Sequence, residues 1–176
     1  MTDAIHIGAV SSSDHDALVV LMRDTWTAAF AADMDPRDVA IHLATKLSPE
    51  AIRGYIADFS FLIAHDGAQA VGFIQYGAAE PHAPGLHSGD REIRRLYVAA
   101  SHQNRGIGSR LLQTALSSTD MANAPRVLID VWEGNHGAKR LYARFGFSPV
   151  GRIPFTVDGR VLGYDQLLAR SDAARR

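Results

Sequence analysis

The chain has 176 residues, of which 47% are hydrophobic and 21% charged, enough apolar material for the core of one domain. Its 18 basic and 19 acidic side chains leave a formal net charge of -1, which removes any bulk electrostatic reason to coat nucleic acid or an anionic membrane. Cysteine is absent, so disulfides and covalent catalysis through an enzyme thiol are excluded. The opening Met1 to His6 lacks the basic-then-apolar run of a signal peptide, and no apolar segment reaches the ~18 residues of a membrane span. A soluble cytoplasmic protein is expected, with neither nucleic acid nor membrane as a partner.

Ile5 to Val10 alternates as a first strand, and Ser13-Asp14 is placed to cap a helix carrying Leu18, Leu21, Met22, Trp26 and Phe30 on one stripe. Pro36 opens a second helix or helix pair reaching Phe59, with a break at Ser48-Pro49, where Ser48 caps and Pro49 begins a helix. Phe61–Ala64 and Ala70–Tyr76 read as strands joined by a hairpin turn at Asp66-Gly67. A loop from Pro81 to Gly89 follows. Next come a strand over Glu92–Val98, a loop and helix over Ser101–Ser118, a strand over Arg126–Val131 and a helix over Asn135–Phe145. A closing hairpin turns at Asp158-Gly159, between Phe147–Thr156 and Arg160–Leu168. Strand and helix alternate only in the middle, which predicts a mixed sheet, antiparallel early and parallel at its centre. The organisation expected is one domain over residues 1–170, with a frayed tail over 171–176.

The most informative segment runs from Leu96 to Gly108. An apolar strand enters a short polar loop, and Gly106 and Gly108 open a helix striped by Ile107, Leu111, Leu112 and Ala115. This gathers unpaired backbone N–H groups and the positive end of a helix dipole at one point, with Gln103 and Arg105 as added donors. The chemistry implied is capture of a pyrophosphate; the alternative is glycines that merely permit a tight turn. Other phosphate motifs fail. A dinucleotide fingerprint needs its third glycine where Leu111 stands, and a triphosphate loop needs Gly-Lys-Ser/Thr where the chain has Gly108-Ser109-Arg110. No His-Glu-x-x-His, cysteine ligand or Gly-x-Ser-x-Gly elbow occurs. His82, His87 and His102 are scattered loop histidines, so no metal is expected.

Val131 to Phe147 is a second strand-loop-helix unit. Asn135 is its cap, Ala138, Leu141, Tyr142 and Phe145 form the apolar stripe, and Gly146 ends the helix. Read by itself, Tyr142 is a core aromatic with a hydrogen-bonded hydroxyl.

Together the two segments resemble the GNAT superfamily of N-acetyltransferases. Its acetyl-CoA signature, an apolar strand and then Gln/Arg-x-x-Gly-x-Gly/Ala, is matched by Gln103 to Gly108. Its later signature is matched by Asn135, Ala138, Leu141, Tyr142, Gly146 and Phe147. Thr25-Trp26 with Phe30, Ala70–Phe73, Glu92-Ile93 with Leu96–Val98, and the Phe155–Asp165 hairpin look like the bacterial spermidine/spermine branch.

The resemblance implies an α/β GNAT fold: a mostly antiparallel mixed sheet, a central parallel pair splayed at the acetyl-CoA site, and about four flanking helices. It implies that Leu96, Tyr97 and Val98 offer backbone groups to the pantetheine arm. Gln103, Asn104, Arg105, Gly106, Ile107, Gly108 and Ser109 would hold the pyrophosphate. Asn135 and Ala138 would lie along the pantetheine, and Tyr142 beside the sulfur.

An alkylamine of pKa ~10.4 must lose a proton before attacking a thioester. Glu92, four residues before Leu96, stands where the histone-acetylating branch carries its glutamate base; the alternative for it is a solvated carboxylate paired with Arg94. Strand periodicity puts Glu92 on the face of Leu96 and Val98. Asp130, Glu133 and His136 are weaker candidates. The Val98 N–H would stabilise the oxyanion and Tyr142 would protonate the leaving thiolate. Without cysteine, transfer is expected to be direct, in a ternary complex.

The acceptor expected is a primary amine, with a polyamine leading because Asp33, Asp35, Asp58, Asp158 and Asp165 would attract a polycation. An aminoglycoside, a protein lysine and an N-terminus are the other acceptors considered. Homodimerisation is frequent in the superfamily, but no residue here specifies it. Two readings stand beside the enzyme: an acyl-CoA-binding sensor without turnover, and an interaction protein using the Trp26/Phe30 helix.

Overall fold

The computed structural model describes residues 5–80 and 85–171. In chain order the elements are β1 (His6–Ala9), α1 (His15–Phe30), α2 (Pro36–Thr45), α3 (Pro49–Asp58), β2 (Ser60–Asp66), β3 (Gln69–Ala78), β4 (Arg91–Val98), α4 (Ile107–Leu116), α5 (Thr119–Ala122), β5 (Arg126–Trp132), α6 (His136–Arg144), β6 (Ser148–Val157) and β7 (Arg160–Ser171). The seven strands follow the order β1-β2-β3-β4-β5-β7-β6. β4 and β5 are parallel, whereas β1–β2, β5–β7 and β6–β7 are antiparallel, which is the mixed α/β sheet expected. The parallel ladder spans Arg91↔Val127 to Ile93↔Ile129, and both strands run on past it.

The chain divides into two compact units: residues up to Gln75 with Arg95–Ala115, and Tyr76–Arg94 with Leu116 onward. β3 and β4 each contribute to both.

In the first unit, α1 buries Leu18, Leu21, Met22 and Trp26, the stripe that its 3.6-residue period predicts. α4 buries Ile107, Leu111 and Leu112 over β3. The contact at Gly72 is close: a Cβ there would stand 3.2 Å from the Tyr97 carbonyl oxygen and 3.3 Å from Leu111 Cδ1. Only glycine lets the helix approach this near.

In the second unit, Leu128, Leu167 and Ala169 form a buried cluster against Ala79, Leu86 and Ile153. The Arg126 guanidinium forms a salt bridge to the buried Asp90 carboxylate at 2.5 Å, and the His87 N–H donates to Asp90 at 2.9 Å. Burial opposes the charge on Asp90, but these partners hold its carboxyl below the ordinary range.

Some boundaries differ from expectation for identifiable reasons. Ser48 and Pro49 start α3 as expected, with the Ala51 N–H bonded to Ser48 Oγ at 3.1 Å. Asp14, by contrast, does not cap α1. It closes a 3₁₀ turn over Ser12–Asp14, and its carboxylate accepts from the Ser11 N–H at 2.8 Å and the Ser11 hydroxyl at 2.6 Å. The helices number six among the described residues, because the region after Pro36 is two helices and a single turn over Thr119–Ala122 was not anticipated. α4 begins at Ile107, where the two glycines were expected to open it; before it, Asn104 and Gly106 take left-handed φ values of 59° and 75° that no helix admits. The first hairpin turns on Gly67 and Ala68, one residue later than expected. The second turns on Asp158 and Gly159, at φ 49° and 73°, the paired positive values of a two-residue hairpin turn. Ser171 closes β7 opposite Arg126 instead of beginning a tail; residues 172–176 lie outside the described residues.

Candidate functional site

The first unit holds Leu96 to Ser109. The end of β4 is pinned at the Val98–Ala99 peptide: its carbonyl accepts from Gln103 Nε2 at 3.1 Å, and its N–H donates to the Val71 carbonyl at 2.8 Å. Gln103 was expected to donate to a phosphate; here its amide first fixes the strand end. The left-handed Asn104 and Gly106 then turn the chain into α4, whose first-turn N–H groups lack intrahelical acceptors. A Cβ on Gly106 would meet no atom within 4 Å, so the loop is open on that side. Arg105, 44% exposed, reaches Asp66 at 3.1 Å, and His102 Nε2 reaches the same oxygen at 3.3 Å. Asp66 thus anchors the loop. The meeting of Arg105 with Asp66, 39 residues away, could not be read from spacing.

A polar cluster that the sequence reading missed lies in the same unit. Arg95 donates to Gln75 Oε1 at 2.5 Å, and its guanidinium stands 4.6 Å from the Tyr55 ring centroid. His42 stacks on Trp26, with centroids 4.1 Å apart and planes 7° from parallel. Burial, then the charges of Arg95 and Lys46, lower the His42 pKa to about 4, so the ring is neutral near pH 7. A groove of about 560 Å³ also runs along α1, bounded by Val20, Leu21, Asp24, Thr25, Ala99 and Ala100.

Glu92 belongs to the second unit and is 2% exposed, so it is no solvated surface carboxylate. Its Oε2 accepts from the Glu80 N–H at 3.0 Å and lies 3.4 Å from Arg94, which also pairs with Glu80 at 3.0 Å. Asn135 caps α6 as expected, its Oδ1 accepting from the Ala138 N–H at 3.0 Å. Tyr142 is 5% exposed on the buried side of α6, its ring meeting Phe147 edge-on at 6.0 Å. Glu92, Asn135, Ala138 and Tyr142 therefore all fall in this unit.

Asp165 is a perturbed carboxyl in the second unit. It stands opposite Trp132 in the β5–β7 ladder. Burial, then repulsion from Asp130 and Glu133, push it up to about 6. Glu133 is committed elsewhere: Arg152 bonds it through Nε and, at 3.0 Å, through Nη2, and that pairing holds its carboxyl low. Arg152 in turn lies 3.9 Å over the Tyr164 ring.

The other acidic candidates have local duties. Asp35 caps α2 by accepting the Arg37 N–H at 2.8 Å, and Asp158 sits in the hairpin turn. Asp33 ends a 3₁₀ turn and Asp58 ends α3. Among the described residues no three His, Asp or Glu side chains gather as a metal group, and no helix is long and apolar enough to cross a membrane. His82 lies outside the described residues.

Comparison with known proteins supplies the context for this geometry. The model of the acetyltransferase (GNAT) family matches residues 19–147. An uncharacterized N-acetyltransferase from the pepI 3′ region of Lactobacillus delbrueckii subsp. lactis is 27% identical over 165 residues, 92% of either chain. The spermine/spermidine N(1)-acetyltransferase of Bacillus subtilis (strain 168) is 28% identical over 86 residues, 48% of this chain and 57% of that protein. The crystal structure of a PaiA N-acetyltransferase from Thermoplasma acidophilum in complex with coenzyme A matches with a TM-score of 0.75 at 20% identity, covering 96% of this chain and 99% of that one. At that identity the likeness is one of fold.

Proposed function

The chain belongs to the acetyltransferase (GNAT) family, and on that premise we propose that this acetyl-CoA-dependent N-acetyltransferase passes the acetyl group directly to a primary amine within a ternary complex. The observation that carries the site assignment is the loop after β4, with left-handed Asn104 and Gly106, an open side at Gly106 and the N-terminus of α4. A diphosphate fits such a loop, because backbone N–H groups and the helix dipole favour an anion that a side chain at Gly106 would obstruct.

In this reading, residues Gln103 to Ser109 receive the pyrophosphate, with Arg105 the charged donor. The backbone of Leu96, Tyr97 and Val98 and the side of α6 at Asn135 and Ala138 hold the pantetheine. The thioester supplies the electrophilic carbonyl. Glu92, directly or through water, takes the proton that the ammonium must lose, and the Val98 N–H donates to the oxygen that becomes negative. Tyr142 gives its proton to the departing sulfur; a thiol of about 8.5 can draw on a phenol of about 10 at modest cost. Asp165 is the second reading for the base, favoured by its raised carboxyl, about 6. A polyamine acceptor is the one to which the name of the Bacillus relative points.

The test is thiol release from acetyl-CoA with purified protein and a panel of spermidine, spermine, an aminoglycoside, free amino acids and a lysine peptide. Saturable release with one class establishes amine acetylation. Binding of acetyl-CoA without release from any amine favours the sensor reading, and no binding removes the loop assignment. Parallel-line kinetics or an isolable acetyl-enzyme would eliminate direct transfer.

A further inference from the structure

Arg53, Arg91, Arg94, Arg105, Arg126 and Arg152 each have a carboxylate within 4.0 Å. Among the described residues no carboxylate is paired with Arg95. This half-buried guanidinium is held by a neutral amide, Gln75 Oε1 at 2.5 Å, and by the face of Tyr55 at 4.6 Å. Neither contact neutralises it. A guanidinium has five donors in a planar fork shaped for a carboxylate, and this one has donors to spare.

Gln75 reinforces the point independently. Its side chain is 0% exposed, and Nε2 has no hydrogen-bond partner among the described residues. Buried amide donors are almost always satisfied, so one left over beside an unneutralised arginine marks a place for an acceptor atom. Because Oε1 is committed to Arg95, the amide orientation is set, and Nε2 is the donor left over on the same side chain.

His42 nearby is kept from protonating first by burial and then by the charges of Arg95 and Lys46. The charges of Arg95 and Lys46 would repel an ammonium entering this cluster and attract a carboxylate. A polyamine, all cation, has nothing to offer here.

We infer that the acceptor amine also carries a carboxylate, and that Arg95 and Gln75 receive it. This rests on the acetyl-transfer reading above. The pair selects the acceptor and does no chemistry, so its loss acts on acceptor KM, with kcat and the KM for acetyl-CoA little changed.

Matched amines test this: L-lysine against cadaverine, L-ornithine against putrescine, and each standard amino acid against its carboxamide, all by thiol release from acetyl-CoA. The acid of the preferred pair is expected to show roughly 10- to 100-fold higher kcat/KM, the scale of a charge-assisted pair. Gln75→Glu supplies Arg95 with an internal carboxylate in nearly the same volume, and is expected to erase most of that preference through acceptor KM. Arg95→Lys, keeping charge but losing the fork, should retain part of it. Thermal melting of both variants shows whether they fold, and an unfolded variant is replaced by Gln75→Met. Equal or better turnover of cadaverine, putrescine or spermidine overturns the inference while leaving amine acetylation intact. Preference retained in folded Gln75→Glu overturns it also, and no release with any amine brings down the acetyl-transfer reading along with it.

Discussion

The side-chain amide of Gln103 donates to the carbonyl of Val98, five residues back, at 3.1 Å. The bond ties the loop after β4 to the strand end whose next N–H is already held by Val71. Gln103→Ala removes one exposed hydrogen bond, so little stability is at stake, about 1 kcal/mol or less. If Val98 must hold its N–H in a set direction, kcat falls as well as acetyl-CoA affinity, by roughly tenfold in kcat/KM, the equivalent of about 1.4 kcal/mol. Steady-state kinetics beside a thermal melt separate the two; unchanged kcat/KM means the bond is only a loop tie.

Gly106→Ala divides the pyrophosphate reading from that of a tight turn. With φ at 75° and no atom within 4 Å of the added Cβ, the cost inside the fold is conformational only, about 1 kcal/mol. A turn that does nothing else loses that stability and no more. A loop that seats a diphosphate meets the methyl group as an obstruction, and calorimetry should record acetyl-CoA Kd rising by tenfold or more, roughly 1.4 kcal/mol.

Tyr142→Phe deletes one hydroxyl from a buried ring that keeps its edge contact with Phe147. The expectation is a kcat lower by roughly 10²- to 10⁴-fold, the range for a general acid, with acetyl-CoA binding retained. Normal turnover returns Tyr142 to the core.

For Glu92→Gln the informative readout is the pH–rate profile. The acid-side limb that reports the free base is expected to shift or flatten. Because Glu92 also holds the Glu80 N–H and lies against Arg94, the melt must be run beside it. An unmoved profile in a folded variant passes the role to Asp165.

Asp165 predicts a pH dependence of stability. Its folded carboxyl titrates near 6, against 3.8 when free, so the protonated form is favoured by folding. That contribution is complete below about pH 4 and is lost as pH rises through about 6. Asp165→Asn should therefore melt higher than the parent at pH 8, by an amount worth roughly 1–2 kcal/mol after allowance for partial exposure, with the gain absent at pH 4. Equal melting at both pH values refutes the burial of this charge.

The residues whose partners are close in sequence were legible. Ser48 with Pro49, Asn135 with Ala138 and the Asp158-Gly159 turn obey local rules, and the structure follows them. The stripes of α1 and α4 were legible for the same reason. What escaped depends on which strands lie side by side. Arg95 meets Gln75 across 20 residues and Arg105 meets Asp66 across 39, separations no periodicity encodes. Alternation along β4 could place Glu92 on a face but could not say that Glu80 and Arg94 would enclose it. The left-handed turn at Asn104 just before α4 escaped too, because such a conformation is not foreseeable from an asparagine's identity alone.

Gly72 carries a consequence for how this chain tolerates change. With 3.2 Å to the Tyr97 carbonyl and 3.3 Å to Leu111, the seam between β3 and α4 is set by main chain, leaving no side chain there to vary. Natural variation at that position is expected to be nearly nil, whereas Tyr55, His42 and Arg95 are ordinary side chains, free to be exchanged one at a time. Change in this part of the fold is therefore expected to fall on side chains of α2, α3 and β4 rather than on the β3–α4 seam.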